Sequence, residues 1–238
     1  MSLPAAVVQH VNHAQAGGAD PYTIDISGTI AGNALLLDIF VNDGRTVVGI
    51  TDTQGNTWSA VQSVTDGSLQ IIQWKALNIV GGVGANTITV DFDSGTATVG
   101  LACREITGVK TASAEVGHTG QSQTTPGTAA NAVTSGAITP SAYPALVLGT
   151  GAHSNGAAAP AAGSGFTSDG TGNAWYASYQ YRLESQRITS GSQAATFTAG
   201  NAADNFISLV VAFAELSAGA QLDRNPLVNN PLTGVLVQ

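Results

Sequence analysis

The chain has 238 residues, of which 43% are apolar and only 9% charged, with 29 glycines and a formal net charge of −8. That length lets a folded chain bury roughly 70% of its unfolded surface, and the apolar content excludes a disordered chain, while constant interruption by Gly, Asn, Asp and Pro excludes a membrane-spanning helix. The acidic balance, with no basic stripe among the seven Lys and Arg residues, excludes a surface that tracks a phosphate backbone.

Alternation of apolar and polar residues, rich in β-branched types and punctuated every 8 to 12 residues, predicts strands throughout and no helix. The first series covers residues 5 to 13, 22 to 30, 33 to 41, 46 to 52, 57 to 64, 69 to 79, 86 to 92 and 97 to 107. A second covers 114 to 123, 131 to 139, 145 to 152, 174 to 184, 194 to 199 and 206 to 216. "NDGR" at 42 to 45, "TQGN" at 53 to 56 and "TDGS" at 65 to 68 supply the hairpin connections, since Gly, Asn and Asp tolerate positive φ. Cys103, the only cysteine, admits no intramolecular disulfide and no Cys-based zinc cage. In "TVGLACREI" it reads as a small core residue.

The two series echo each other. "QWKAL" at 73 to 77 returns as "QYRLE" at 180 to 184, "SGTIAGNALLL" at 27 to 37 resembles "SGAITPSAYPALVL" at 135 to 148, and "TVGLACREI" at 98 to 106 resembles "SLVVAFAEL" at 208 to 216. With a side-chain period of two, Ile72, Trp74 and Ala76 share an inward face while Gln73 and Lys75 point outward. The same parity puts Tyr179, Tyr181 and Leu183 inward and Gln180 and Arg182 outward. A Trp74 enclosed in this way predicts a cost of ~3 kcal/mol or more for Trp74→Ala. The link "GVKTASA" at 108 to 114 is too short and too mixed for a free linker. The expected architecture is therefore one all-β antiparallel sandwich over residues 1 to 217, built from two related halves packed together, followed by an extended arm at 218 to 238.

The constellations that suggest chemistry are weak. His10 and His13 fall on opposite faces of a strand and cannot share one metal. Asp91 and Asp93 share a face, with Cα atoms about 6.5 to 7 Å apart, near the separation that glycosidases use, but they sit at a strand end where solvated acids are common. His153 and Ser154 lie outside a G-x-S-x-G elbow. The stretches "VGGVGANT" and "GSGFTSDGTGN" match neither a phosphate loop nor a dinucleotide fingerprint. Trp58, Trp175, Tyr176 and Tyr143 are the aromatic residues that an exposed position would fit for stacking on sugars. Trp175 shares the inward parity, and Tyr176, with outward parity, is the favoured surface contact. No catalytic residue, metal or cofactor is assigned.

After Leu216 the text changes to "SAGAQLDRNPLVNNPLTGVLVQ". Pro226 and Pro231 forbid a continuous helix and extend the residues before them. Leu222, Leu227, Val228, Leu232, Val235 and Leu236 make the segment too apolar for a solvated tail. Burial of four or five of them at ~1.5 kcal/mol or more each would offset the ordering of a short arm, so these residues, with both prolines, are expected to dock on a neighbouring chain by strand or groove addition. Folding back as an edge strand is the other outcome.

The strings "GNALLLDIFV", "VVGITDTQGNTWSAVQSV", "LQIIQWKALNI", "NTITVDF" and "VGLACREITGV", followed by "PALVLGTGA", "GSGFT" and "ISLVVAFAEL", resemble in their order the jelly-roll-like β-sandwich module of bacterial surface proteins and tailed-phage structural proteins. The resemblance spans roughly residues 5 to 216 and implies an adhesive or decorating role with no active site to carry over. The opening "MSLPAAVVQHVNHA" lacks a basic n-region and a sustained apolar run, and the arm lies outside the shared module. Both features point to the phage side: a capsid decoration (cement) protein, made in the host cytoplasm and carried on the virion. Its expected partners are the major capsid protein or another virion protein and copies of itself, not nucleic acid or membrane. The alternative is a glycan-binding adhesin or a tail or fibre recognition module.

Overall fold

β-branched and aromatic side chains suit a pleated, half-buried surface, and the segments rich in them are strands. The computed structural model describes residues 4–15, 20–42, 44–67, 69–93, 98–124, 132–153, 159–170, 173–176, 179–198 and 205–217, and among these there is no helix. The first half contains β1 (Ala6–Gln15), β2 (Tyr22–Thr29), β3 (Ala34–Val41), β4 (Val47–Asp52), β5 (Trp58–Thr65), β6 (Gln70–Ala76), β7 (Gly82–Phe92) and β8 (Val99–Thr107). The second contains β9 (Glu115–Thr124), β10 (Ala132–Ile138), β11 (Ala145–His153), β12 (Ala161–Ala162), β13 (Thr167–Ser168), β14 (Asn173–Tyr176), β15 (Tyr179–Ile188), β16 (Gln193–Thr198) and β17 (Asn205–Ala214). Gly55 (φ 74°) and Gly67 (φ 95°) turn the corners before and after β5, in a region that side chains with a Cβ disfavour.

All pairings are antiparallel. One sheet runs β1-β8-β3-β6-β5 and faces a smaller sheet, β2-β7-β4; in the second half β9-β17-β11-β15 continues to β13 and β14, both on the free edge of β15, and faces β10-β16-β12. Exchanging β1–β5 for β9–β13 and β6–β8 for β15–β17 turns one path into the other, with β14 an addition to the second half. The relatedness of the halves is thus a relatedness of topology.

The halves do pack together, as the short link implies, yet each closes a sandwich of its own. β3 shows why. Its eight residues, ALLLDIFV, are all buried, an apolar run broken only by Asp38, as expected of a strand covered on both faces. Leu35, Leu37, Ile39 and Val41 join Tyr22, Ile24, Ile88 and Val90 in the first core. Ala34, Leu36 and Phe40 turn the other way, where Leu36 meets Leu146, Val211 and Phe213 and Phe40 stacks on Tyr181 with ring centroids 4.6 Å apart. The second core, around Val133, Val147, Phe197, Phe206 and Val210, is separate. Four layers result, with the two larger sheets back to back.

This layering corrects the face assignments. Ile72, Trp74 and Ala76 face the first core as expected, with Trp74 only partly buried. Gln73, expected to point outward, is fully buried against the second half, and Lys75 bridges to Glu115 on β9. In the second half the parity is reversed: Tyr181 and Leu183 lie in the seam between the sandwiches, while Glu184 turns into the second sandwich, under Gly149. The run expected as one strand at 174 to 184 is two, with β14 antiparallel to β15 and Tyr176 opposite Tyr179. Alternation continues through both, and the intervening Ala177 and Ser178 carry no turn signal.

Candidate functional site

The polar residues that the fold gathers most tightly lie in the seam. Asp38 on β3 and Arg104 on β8 both point out of the first sandwich, and the larger sheet of the second covers them completely. Arg104 Nη2 donates to Asp38 Oδ2 and to Thr150 Oγ1, both at 2.9 Å. Its Nη1 reaches the carbonyls of Gly149 (3.1 Å) and Glu184 (3.3 Å) and Asp169 Oδ2 (3.4 Å). Gln73 donates to Asp38 Oδ1 at 2.7 Å and receives a 2.6 Å bond from Gln62, which also donates to the Val210 carbonyl.

A buried charge is tolerated when it is paired and hydrogen-bonded, and here one guanidinium engages groups from three strands or loops of the opposite half. Most of these donors and acceptors are consumed by one another, with Arg104 Nε buried and without a hydrogen-bond partner, so the network clamps the two halves together. Glu215 closes the seam at its rim, accepting from the Ala5 backbone N–H at 2.6 Å and from Arg187 at 2.7 and 2.9 Å. Sequence reasoning passed over this network. Its signal was charge within each apolar run, Asp38 in "ALLLDIFV" and Arg104 with Glu105 in "VGLACREI".

Two further carboxylate side chains are buried, Glu105 and Glu184; Glu105 accepts from the Ile30 N–H and from Asn33, and Glu184 is less well satisfied. Its Oε2 accepts the Gly163 N–H at 2.8 Å, while Oε1 is buried without a hydrogen-bond partner. Burial pushes the carboxyl up to about 7, against the lowering effect of the Gly163 and Thr196 backbone N–H groups.

An open groove of about 410 Å³ lies on the first sandwich where β4 of the small sheet passes the β5–β6 edge of the large one. Trp74, Ile72 and Val47 give it an apolar floor, with Arg45, Ser63 and Gln70 among its polar lining. Gln70 donates to Ser63 Oγ at 3.0 Å, and its own Oε1 is buried with no hydrogen-bond partner.

The residues singled out in sequence are dispersed. His10 pairs with Arg104 and His13 with Leu101, on opposite strand faces, and His10 lies against Gly170. Among the described residues no three His, Cys, Asp or Glu converge as metal ligands. Asp91 has Asp20, not Asp93, as its acidic neighbour, and desolvation followed by Asp20 holds its carboxyl above the usual range. His153 is buried and stacks on Phe206 at 5.9 Å; Ser154 lies outside the described residues. Trp58 donates to Asp52 at 2.8 Å, and Tyr143, 37% exposed, donates to the Gly191 carbonyl. Cys103 is buried, which pushes its thiol up. Trp175 and Tyr176 belong to β14, with side chains outside the described residues. Leu222, Pro226, Leu227, Val228, Pro231, Leu232, Val235 and Leu236 also lie outside them.

The geometry defines an all-β, antiparallel double sandwich with a locked seam. No protein-family model, curated protein or solved structure matches the chain.

Proposed function

We propose that the chain is a structural virion protein, a capsid decoration protein that binds the capsid surface and neighbouring copies. The observation that carries this reading is the seam: two like sandwiches are joined by apolar packing and by the Asp38–Arg104–Thr150 network, which makes a rigid double block. Such a block suits a role in which shape, not chemistry, is the working property. The apolar sequence after Ser217 supports it further, since a segment rich in Leu and Val and broken by Pro226 and Pro231 is suited to extended docking on another chain. Within the virion the partners are the major capsid protein and further copies of this chain, and no cofactor takes part.

Co-sedimentation with purified shells of the virus whose genome carries the gene tests this, using the full chain and a form ending at Ser217. The full chain is expected to bind shells and the shortened form to lose at least tenfold in affinity. A full chain that ignores the shells overturns the reading.

A further inference from the structure

We infer that the groove at Trp74 is a binding site for a neutral pyranose ring of a glycan. The inference stands independently of the virion reading. Its first support is a difference between the halves. In the second sandwich the strand equivalent to β6 is β15, and Arg182 on that strand crosses to the β12 side to donate to the Pro160 carbonyl at 2.7 Å and to Ser168 and Gly170. In the first sandwich the corresponding space is a groove of about 410 Å³, within the range that small-molecule sites use.

The lining is matched to a sugar. A pyranose has a C–H face and a rim of hydroxyls; Trp74 offers a partly buried indole in the same lining as Ile72 and Val47, and an aromatic body favours such an apolar face. The second support is Gln70 Oε1, a buried acceptor with no hydrogen-bond partner. Leaving it unmet is costly, and a sugar hydroxyl would donate to it. Ser63, whose Oγ accepts from Gln70, and Arg45 add polar groups to the lining. The net charge of −8 favours neutral over acidic sugars.

The test is a titration of the full chain with methyl pyranosides of glucose, galactose, mannose and N-acetylglucosamine, followed by ligand-detected NMR and tryptophan fluorescence. At least one is expected to bind, with affinity reduced about tenfold or more by Trp74→Leu and by Gln70→Met, and unchanged by Tyr143→Phe on a separate surface. Circular dichroism of each variant establishes that it is folded, and Gln70→Met keeps the test decisive if Trp74→Leu is not. Absence of binding by every sugar, binding that survives both groove substitutions, or a groove that takes only a synthetic peptide of residues 218 to 238 overturns the inference.

Discussion

Thr150, in the central strand of the second sandwich, donates its hydroxyl hydrogen to Asp38 in the central strand of the first at 2.8 Å, and both side chains are wholly enclosed. The same hydroxyl oxygen accepts from Arg104 at 2.9 Å. One atom therefore bridges both members of a buried ion pair that belongs to the other half. A slide of one large sheet over the other would strand a charge away from water, whereas the surrounding Leu and Val side chains could repack at modest cost.

Removing one member of the pair should be worse than removing both. Arg104→Met leaves Asp38 enclosed without its cationic partner, and should cost roughly 3–5 kcal/mol in urea unfolding. The double change Asp38→Leu with Arg104→Met should recover a large part of that loss. Equal or larger destabilisation in the double variant would show that the network is not an isolated pairing.

Glu184 gives the stability a direction with pH. Its folded value of about 7 lies above its ordinary 4.5, so the native state holds the extra proton between those values. Stability is then fully present below about pH 4.5 and falls as pH rises through 7, by on the order of 3 kcal/mol at most. Glu215, held below its ordinary value by Arg187, acts oppositely and is lost on acidification. The thermal midpoint should therefore peak in mildly acidic buffer, and Glu184→Gln should flatten the fall between pH 5 and 8.

Gly151 lies in a strand interior, where glycine ordinarily weakens pairing. A Cβ there would meet the Phe197 ring at 2.7 Å. Gly151→Ala should lower stability by about 1–3 kcal/mol through overpacking, and Phe197→Leu in the same chain should relieve part of it. An unchanged denaturation midpoint for Gly151→Ala would mean that the ring is not where the fold places it.

Trp74 faces the first core but is only partly buried, so Trp74→Ala should cost about 1–2 kcal/mol, less than the 3–5 kcal/mol of an enclosed tryptophan. Urea unfolding measures it directly, and a loss above 3 kcal/mol would place the indole inside the core.

Much of the strand pattern was legible because most of the long strands carry alternation or an apolar run, whereas the four-residue β14 ran into β15 with no turn signal between them. β12 and β13, two residues each, leave no such trace. The duplication was legible too, but not the facing of its layers. "QYRLE" and "QWKAL" share a spacing, yet Tyr181 enters the seam and Trp74 the first core. Where both faces of a strand are covered, a period of two separates the faces without saying which layer each meets. The seam network was hidden for the same reason: Asp38, Gln73 and Arg104 look solvent-facing in a lone sandwich, and only the second sandwich buries them. The groove at Trp74 depends on how far β4 covers β6, a matter of sheet offset that no local pattern records.

The two sandwiches behave as one body, and scanning calorimetry of the full chain at pH 6 tests that most directly. A single transition whose calorimetric enthalpy equals its van't Hoff enthalpy is the predicted result, lost in Arg104→Met as the halves uncouple. Two resolved transitions in the unaltered chain, unmoved by Arg104→Met, would contradict it.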